Sequence, residues 1–276
     1  MPITCEHTLT PLSRAAFGKL TYAVYAEVLA IRQELGRFFD ERIYKQALAR
    51  RCPHVTLEVP IWVSHGSFKK VYYLDALLAG GGVLEFKAAE AVVARHLTQL
   101  LHYLMLAELR HGMLVNVRPE QVSKRYVNNV LSHADRRNFS TQRVEWNSAL
   151  SGAEGFETLL LELLHDWGTS LDLTLYEEAL THFFGGESQV IRPAAVVLDA
   201  AELGSQALRF AAPGTAFKLT AFEHEEPQQQ FLAHCQKLVT HTQVEGLLWA
   251  NIARHCVTFR CLGTELTERK GQEKGL

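Results

Sequence analysis

Tyr73-Leu74-Asp75-Ala76-Leu77-Leu78-Ala79-Gly80-Gly81-Gly82-Val83-Leu84-Glu85-Phe86-Lys87 is the stretch on which the fold turns. It holds an apolar run interrupted by one acid, a triple glycine, and a second run in which apolar and charged residues alternate. Side chains on a strand alternate between its faces, so Leu84 and Phe86 share one face while Glu85 and Lys87 share the other. The glycines read as a tight turn that folds Asp75 back beside Glu85. Two carboxylates on neighbouring strands form a hard-oxygen site suited to magnesium or manganese. Lys87, next on the same face, is placed to orient or deprotonate a water or to steady phosphate charge. A solvated amphipathic strand would also read Leu-Glu-Phe-Lys, so the neighbouring segments have to decide.

On the N-terminal side, residues 55–63 and 70–78 are rich in β-branched and aromatic residues and read as two strands joined at His65-Gly66-Ser67, with 82–86 as a third. Before them, residues 11–51 carry apolar residues at helical spacing, broken near Gly36 and ended by Pro53. After them, residues 88–110 read as a long helix with Leu97, Leu100, Leu101, Leu104 and Leu109 along one side. Gly112 stops it, and residues 113–117 form a fourth strand. The predicted order is helix, three strands, helix, strand. Glu41 and Tyr44 fall three apart on the first helical segment, and Gln99 and Tyr103 four apart on the last, spacings that put each pair on one helix face.

The same order recurs further on: helix over 156–184, strands over 190–198, 207–211 and 216–221, helix over 229–239, strand over 247–252. Ile43-Tyr44-Lys45-Gln46-Ala47-Leu48 aligns with Leu175-Tyr176-Glu177-Glu178-Ala179-Leu180, and Met113-Leu114-Val115-Asn116-Val117 with Leu248-Trp249-Ala250-Asn251-Ile252. The offsets, 132 between the tyrosines and 135 between the asparagines, are nearly equal and point to an internal duplication. The expected organisation is a domain over 1–135, a polar linker over 136–155, and a second domain over 156–276 whose tail, from Thr267 on, is flexible.

The chain has 276 residues, 47% of them hydrophobic and 21% charged, which excludes fibrous and disordered classes. No apolar run is long enough to span a bilayer, and the start carries Glu6 and His7 in place of a signal core, so no membrane is implied and a cytoplasmic protein is expected. Five cysteines without a Cys-x-x-Cys pair suggest neither a disulfide framework nor zinc. The 13 histidines show no zinc-motif spacing with a third ligand, and Trp146, Trp167 and Trp249 read as core residues. The formal net charge of −2 hides an asymmetry. Residues 1–140 hold 18 Lys and Arg against 12 Asp and Glu, and the rest hold 10 against 18. The basic doublets, including Lys69-Lys70 and Lys124-Arg125, lie in the positive half and fit a polyanion.

Asp75 followed by Glu85-x-Lys87, with Glu41-Arg42-Ile43-Tyr44 and Ala47-Leu48 before and Gln99-x-x-x-Tyr103 after, resembles the PD-(D/E)XK nuclease superfamily, and specifically its GxxExxY proteins. The resemblance runs over about residues 35–130 and includes Asn116. It departs at the motif glycine, whose place is taken by Phe38, with Gly36 the nearest glycine.

The resemblance implies an α/β, restriction-endonuclease-like core that binds Mg2+ or Mn2+ through Asp75 and Glu85, with Glu41 as a further metal or water contact and Lys87 at the water. Gln99 and Tyr103 would support the substrate or the site. The function expected is metal-dependent phosphodiester hydrolysis of nucleic acid, DNA before RNA, with Lys69, Lys70, Lys124 and Arg125 as nucleic-acid contacts; a homo-oligomer is compatible with it. The alternative is a non-catalytic nucleic-acid- or protein-binding module that retains the nuclease fold. The second half reads as a degenerate copy. Ala216-Phe217-Lys218-Leu219-Thr220-Ala221 has no acid where Glu85 stands, His234 replaces Gln99, and no aspartate is placed like Asp75.

Overall fold

The structure, a computed structural model, describes residues 2–242 and 244–263. The flexible tail expected from Thr267 lies outside the described residues. The chain divides into two compact units, Met1–His133 and Ala134–Leu276, and its class is mixed α/β, as expected.

In the first unit the elements are β1 (Ile3–Cys5), α1 (Arg14–Leu35), α2 (Glu41–Arg51), β2 (Val55–His65), β3 (Phe68–Leu78), β4 (Gly82–Lys87), α3 (Ala94–Leu106), β5 (His111–Asn116) and β6 (Ser123–Asn128). The six strands lie side by side in chain order. Only β4 and β5 are parallel. A parallel pair cannot be closed by a hairpin, and α3 is the crossover that joins it. Leu84 and Phe86, both fully buried, pack with Val24, Val28, Ile31 and Leu48 of α1 and α2. On the opposite face α3 lies so close that a Cβ on Gly112 would meet the Leu100 side chain at 2.9 Å. The strand alternation predicted for 84–87 is therefore the alternation between two helical layers.

In this unit two strands escaped the sequence reading, β1 with three residues and β6 with the polar sequence Ser-Lys-Arg-Tyr-Val-Asn, because edge strands need little apolar surface. The helix expected over 88–110 is shorter at both ends. Residues 88–93 are held out of it by polar side chains: Asn116 Oδ1 accepts the Ala89 N–H at 3.2 Å, Asn116 Nδ2 donates to the Ala89 carbonyl at 2.7 Å, and Arg118 Nε donates to the Ala88 carbonyl at 3.3 Å. Such bonds offer the backbone an alternative to the helical ladder.

The second unit contains α4 (His133–Arg137, beginning at the boundary), β7 (Ser140–Val144), α5 (Ala153–Trp167), α6 (Leu173–Phe183), α7 (Glu187–Val190), β8 (Ile191–Leu198), β9 (Ala201–Ala212), β10 (Thr215–Thr220), α8 (Glu225–His241), β11 (Gly246–Ile252) and β12 (Cys256–Gly263). Its sheet runs β8-β9-β10-β11-β12-β7. From β8 to β12 the pairings repeat those from β2 to β6, with β10 and β11 the parallel pair. The sixth strand differs: β1 flanks β2 in the first sheet, whereas β7 lies parallel to β12 at the other end of the second.

The segment read as linker, 136–155, therefore contains a strand of the second sheet, and Arg136 is fully buried with Nη1 donating to the Trp167 carbonyl at 2.6 Å. Its polarity had the physical cause seen at β6, an edge strand whose outer flank meets solvent. Trp167 and Trp249 are core residues, while Trp146 is only partly buried. Buried Cys235, on the core-facing side of α8, has its thiol pushed up to about 12 by burial. All five cysteines are free.

Candidate functional site

The β3 and β4 strands pair at Ala76–Leu84, Leu77–Val83 and Leu78–Gly82 and then part. Where the ladder ends, the Asp75 side chain takes over: its Oδ2 accepts the Phe86 backbone N–H at 2.9 Å. Next to this point β4 carries Glu85 and Lys87, which pair in register with Leu114 and Asn116 of β5. Glu85 is 1% exposed. Its Oε1 accepts from Lys87 Nζ at 2.6 Å, and its Oε2 is buried with no hydrogen-bond partner. Burial first, and then the Asp75 charge, push the Glu85 carboxyl well above the ordinary carboxylate range, against the pull of Lys87. Burial acts to lower Lys87, but the carboxylates of Glu85, Asp75 and Glu41 outweigh it and hold the ammonium above its usual value.

Helix α2 contributes Glu41 and a residue the sequence reading passed over, Lys45. Burial, followed by Asp75, raises the Glu41 carboxyl, while Lys87, Lys45 and a bond from the Ala88 backbone oppose the rise. Lys45 is buried and reaches three acids, with Nζ 2.5 Å from Glu58 Oε1, 3.0 Å from Asp75 Oδ1 and 3.8 Å from Glu41 Oε1. Glu58 was also passed over. The β2–β3 register places it opposite Asp75, in the one position the ladder skips between Leu57–Ala76 and Val59–Leu74. Its φ is 52°, in the left-handed region that non-glycine residues rarely occupy. Two carboxylates facing each other across a strand pair repel, and Lys45 sits between them. The four-residue spacing of Glu41 and Lys45 was the available signal for Lys45; nothing in the sequence marks Glu58.

From α3, Gln99 Nε2 donates to the Tyr103 hydroxyl at 2.9 Å. Burial raises the Tyr103 phenol, the Gln99 bond lowers it, and the charges of Glu85 and Asp75 raise it further, so this pair belongs to the same electrostatic neighbourhood as the carboxylates. The Tyr103 ring lies 6.1 Å from that of Tyr72 on β3, and Lys70 Nζ stands 4.9 Å from the Tyr72 ring centre. Lys69 is exposed at the start of β3, near the β2–β3 turn. On the far edge strand, Lys124 Nζ covers the Tyr25 ring at 3.9 Å, while Arg125 lines a cavity of about 440 Å³ with Glu90, Asn116 and the start of α3. Glu41, Asp75, Glu85, Lys87, Gln99 and Tyr103 are thus brought together, and the four basic residues lie on two sides of them.

The donor set fits a divalent cation through Asp75 and Glu85, two hard oxygen ligands of which one oxygen, Glu85 Oε2, is buried and unpaired. Among the described residues no group of three or more His, Cys, Asp or Glu is placed to hold a metal ion. A cation on this pair would therefore complete its shell with water and substrate, as magnesium commonly does. In the second unit Lys218 and Thr220 stand where Glu85 and Lys87 stand, since Thr220 pairs with Asn251 as Lys87 pairs with Asn116. The Thr220 hydroxyl donates to Asn251 Oδ1 at 2.8 Å.

No curated protein and no solved structure matches the chain. Residues 18–128, from within α1 to the last residue of β6, match the family model of the PD-(D/E)XK nuclease superfamily, and the fold and every candidate site residue named above for the first unit lie inside or along that match.

Proposed function

We propose that the first unit is a divalent-metal-dependent nuclease acting on phosphodiester bonds, with DNA the first substrate to try, and that it resembles the GxxExxY proteins. The observation that carries the reading is the buried, unpaired Glu85 Oε2 beside Asp75: a burial this costly is repaid when a cation meets the oxygen. Asp75 and Glu85 would hold Mg2+ or Mn2+, with Glu41 behind them. The bound ion would offset the negative charge of the phosphodiester and of its transition state. Lys87, held as an ammonium, donates to a phosphate oxygen or fixes the attacking water, and Gln99 and Tyr103 present amide and hydroxyl groups to the substrate. The second unit is read as a degenerate copy, and its reproduction of the β2-to-β6 pairing from β8 to β12 supports that.

A binding module without catalysis is the competing reading, favoured by one feature: a lysine already sits on each carboxylate, Lys45 on Asp75 and Lys87 on Glu85. Metal titration separates the two. The nuclease reading expects cleavage of single-stranded or duplex DNA with magnesium or manganese and none with a chelator. It expects Glu85→Gln and Asp75→Asn to abolish manganese binding in calorimetry, and Lys87→Ala to lower turnover 100-fold or more, an order set by general acid–base and electrostatic contributions of about 10²–10⁴, with binding nearly kept. Metal bound without cleavage of any DNA or RNA substrate would favour the module.

A further inference from the structure

The sequence Gly36-Arg37-Phe38-Phe39-Asp40 links α1 to α2 and leads directly into Glu41. Its aromatic residues do not enter the core. Phe38 is 72% exposed and Phe39 is 49% exposed. Two guanidinium groups lie over the Phe38 ring, the Arg37 carbon 4.8 Å from its centre and that of Arg118 5.9 Å away, and the ring still stays largely open to solvent. Neither guanidinium has a carboxylate partner among the described residues. Arg118 is fixed by its Nε bond to the Ala88 carbonyl, and the N–H of that same residue faces the Glu41 carboxylate. Ala88, the residue following Lys87, therefore joins Arg118 to Glu41.

An exposed ring beside unneutralised guanidinium groups matches the chemistry of an unstacked nucleotide. The base lies on the ring, and its phosphates meet the arginines. A duplex keeps the faces of its bases within its own stack, so a ring standing in solvent offers it little, whereas a single strand or a frayed end presents a free face. We propose that Phe38, with Arg37 and Arg118, is a stacking platform that selects single-stranded nucleic acid and leads it to the Asp75–Glu85 pair. This inference deepens the nuclease reading and rests on it for what happens to the strand after binding. Phe38 stands at the place of the family motif's glycine, so the platform belongs to this chain's own residues.

Binding is measured on the full chain carrying Glu85→Gln, so that no strand is cut, by fluorescence anisotropy with labelled oligothymidylate and with a labelled hairpin duplex. Adding Phe38→Ala is expected to weaken oligothymidylate binding about tenfold, the loss of one stacked base, while changing duplex binding less than about twofold. Phe38→Trp should restore single-strand affinity and show quenched indole emission on saturation. Unchanged single-strand binding by the alanine variant, or an equal loss on both probes, would overturn the platform. So would a change in oligomeric state with Phe38→Ala in gel filtration, which would make the ring a contact between copies. If the unsubstituted chain cuts DNA with magnesium but Phe38→Ala is without effect on single strands, the platform falls and the nuclease stands. If it cuts nothing yet binding depends on Phe38, the nuclease falls and the platform stands.

Discussion

Lys45 shows how much a single buried cation governs the site. Three acids from three elements surround its Nζ: Glu41 from its own helix, Glu58 from β2 and Asp75 from β3. The Asp75 side chain is only 15% exposed, so its charge depends on nearby compensation, whereas the Glu58 side chain is 53% exposed and keeps water as a partner. Removing the cation strands a buried carboxylate, a change that costs about 3–5 kcal/mol when one partner of a buried pair is lost. Removing the exposed acid costs no more than about 1 kcal/mol. Lys45→Met should therefore lower the denaturation midpoint strongly and Glu58→Gln weakly. Adding Asp75→Asn to Lys45→Met should recover part of the loss, because the unpaired charge is gone. Equal effects of the two single variants in urea melts would show that Glu58, and not Asp75, is the partner that matters.

Between elements, two tyrosines perform the same task. The Tyr44 hydroxyl donates to the carbonyl of Gly36 at 2.7 Å, where Gly36 caps α1, and the Tyr176 hydroxyl donates to the carbonyl of Gly168, which caps α5. Each bond ties the start of one helix to the end of the helix before it, across eight residues. Both glycines have positive φ, 76° and 84°, the conformation that lets the chain leave a helix sharply. Asn116 and Asn251 form the second correspondence. Each is bidentate to one backbone unit just beyond the central strand, Ala89 in the first case and Phe222 in the second, at 2.7–3.2 Å. Tyr176→Phe leaves a buried carbonyl without a donor and should cost about 1–3 kcal/mol, whereas Tyr44→Phe leaves a half-buried one that water can reach and should cost about 1 kcal/mol. If the units unfold separately, hydrogen exchange should speed up in α1 and α2 for the first variant and in α5 and α6 for the second. Identical exchange patterns for both variants would show one cooperative unit instead of two.

For the whole molecule, the charge asymmetry is resolved into two sheets. The excess of basic residues lies in the first unit, with Lys69 and Lys70 at the start of β3 and Lys124 and Arg125 on the edge strand β6. Each phosphate neutralised by such a residue releases counterions, so DNA affinity should fall steeply with salt, with a slope close to 0.9 per phosphate contact on duplex and about 0.7 on single strands. Reversing Lys69, Lys70 and Arg125 to glutamate should flatten the slope by about two to three, whereas Glu177→Lys and Glu178→Lys on α6 should not. Lys124 is the weaker choice for this test because its ammonium packs on the Tyr25 ring. A slope that survives the three reversals would move the nucleic-acid contact elsewhere.

Local sequence was enough for the strand alternation of Leu84 to Lys87, the glycine turn, the broken helical opening and the order helix, three strands, helix, strand over 11–117 and again over 156–252, because periodicity and turn chemistry act over a few residues. It also singled out Asp75, Glu85 and Lys87 as candidates, since Asp75 interrupts an apolar run and Glu85 and Lys87 share a face. The edge strands β1, β6 and β7 carried no comparable signal: their ladders are satisfied by neighbours distant in the chain, and one flank of each can remain polar. Tertiary structure alone decided that β3 and β4 part at Asp75, that Lys45 stands between Asp75 and a left-handed Glu58, and that Asn116 pins the Ala89 backbone out of the helix after Lys87. Each of these depends on two or three elements meeting in space, and no pattern within one element encodes the distance between a helix amine and a strand carboxylate.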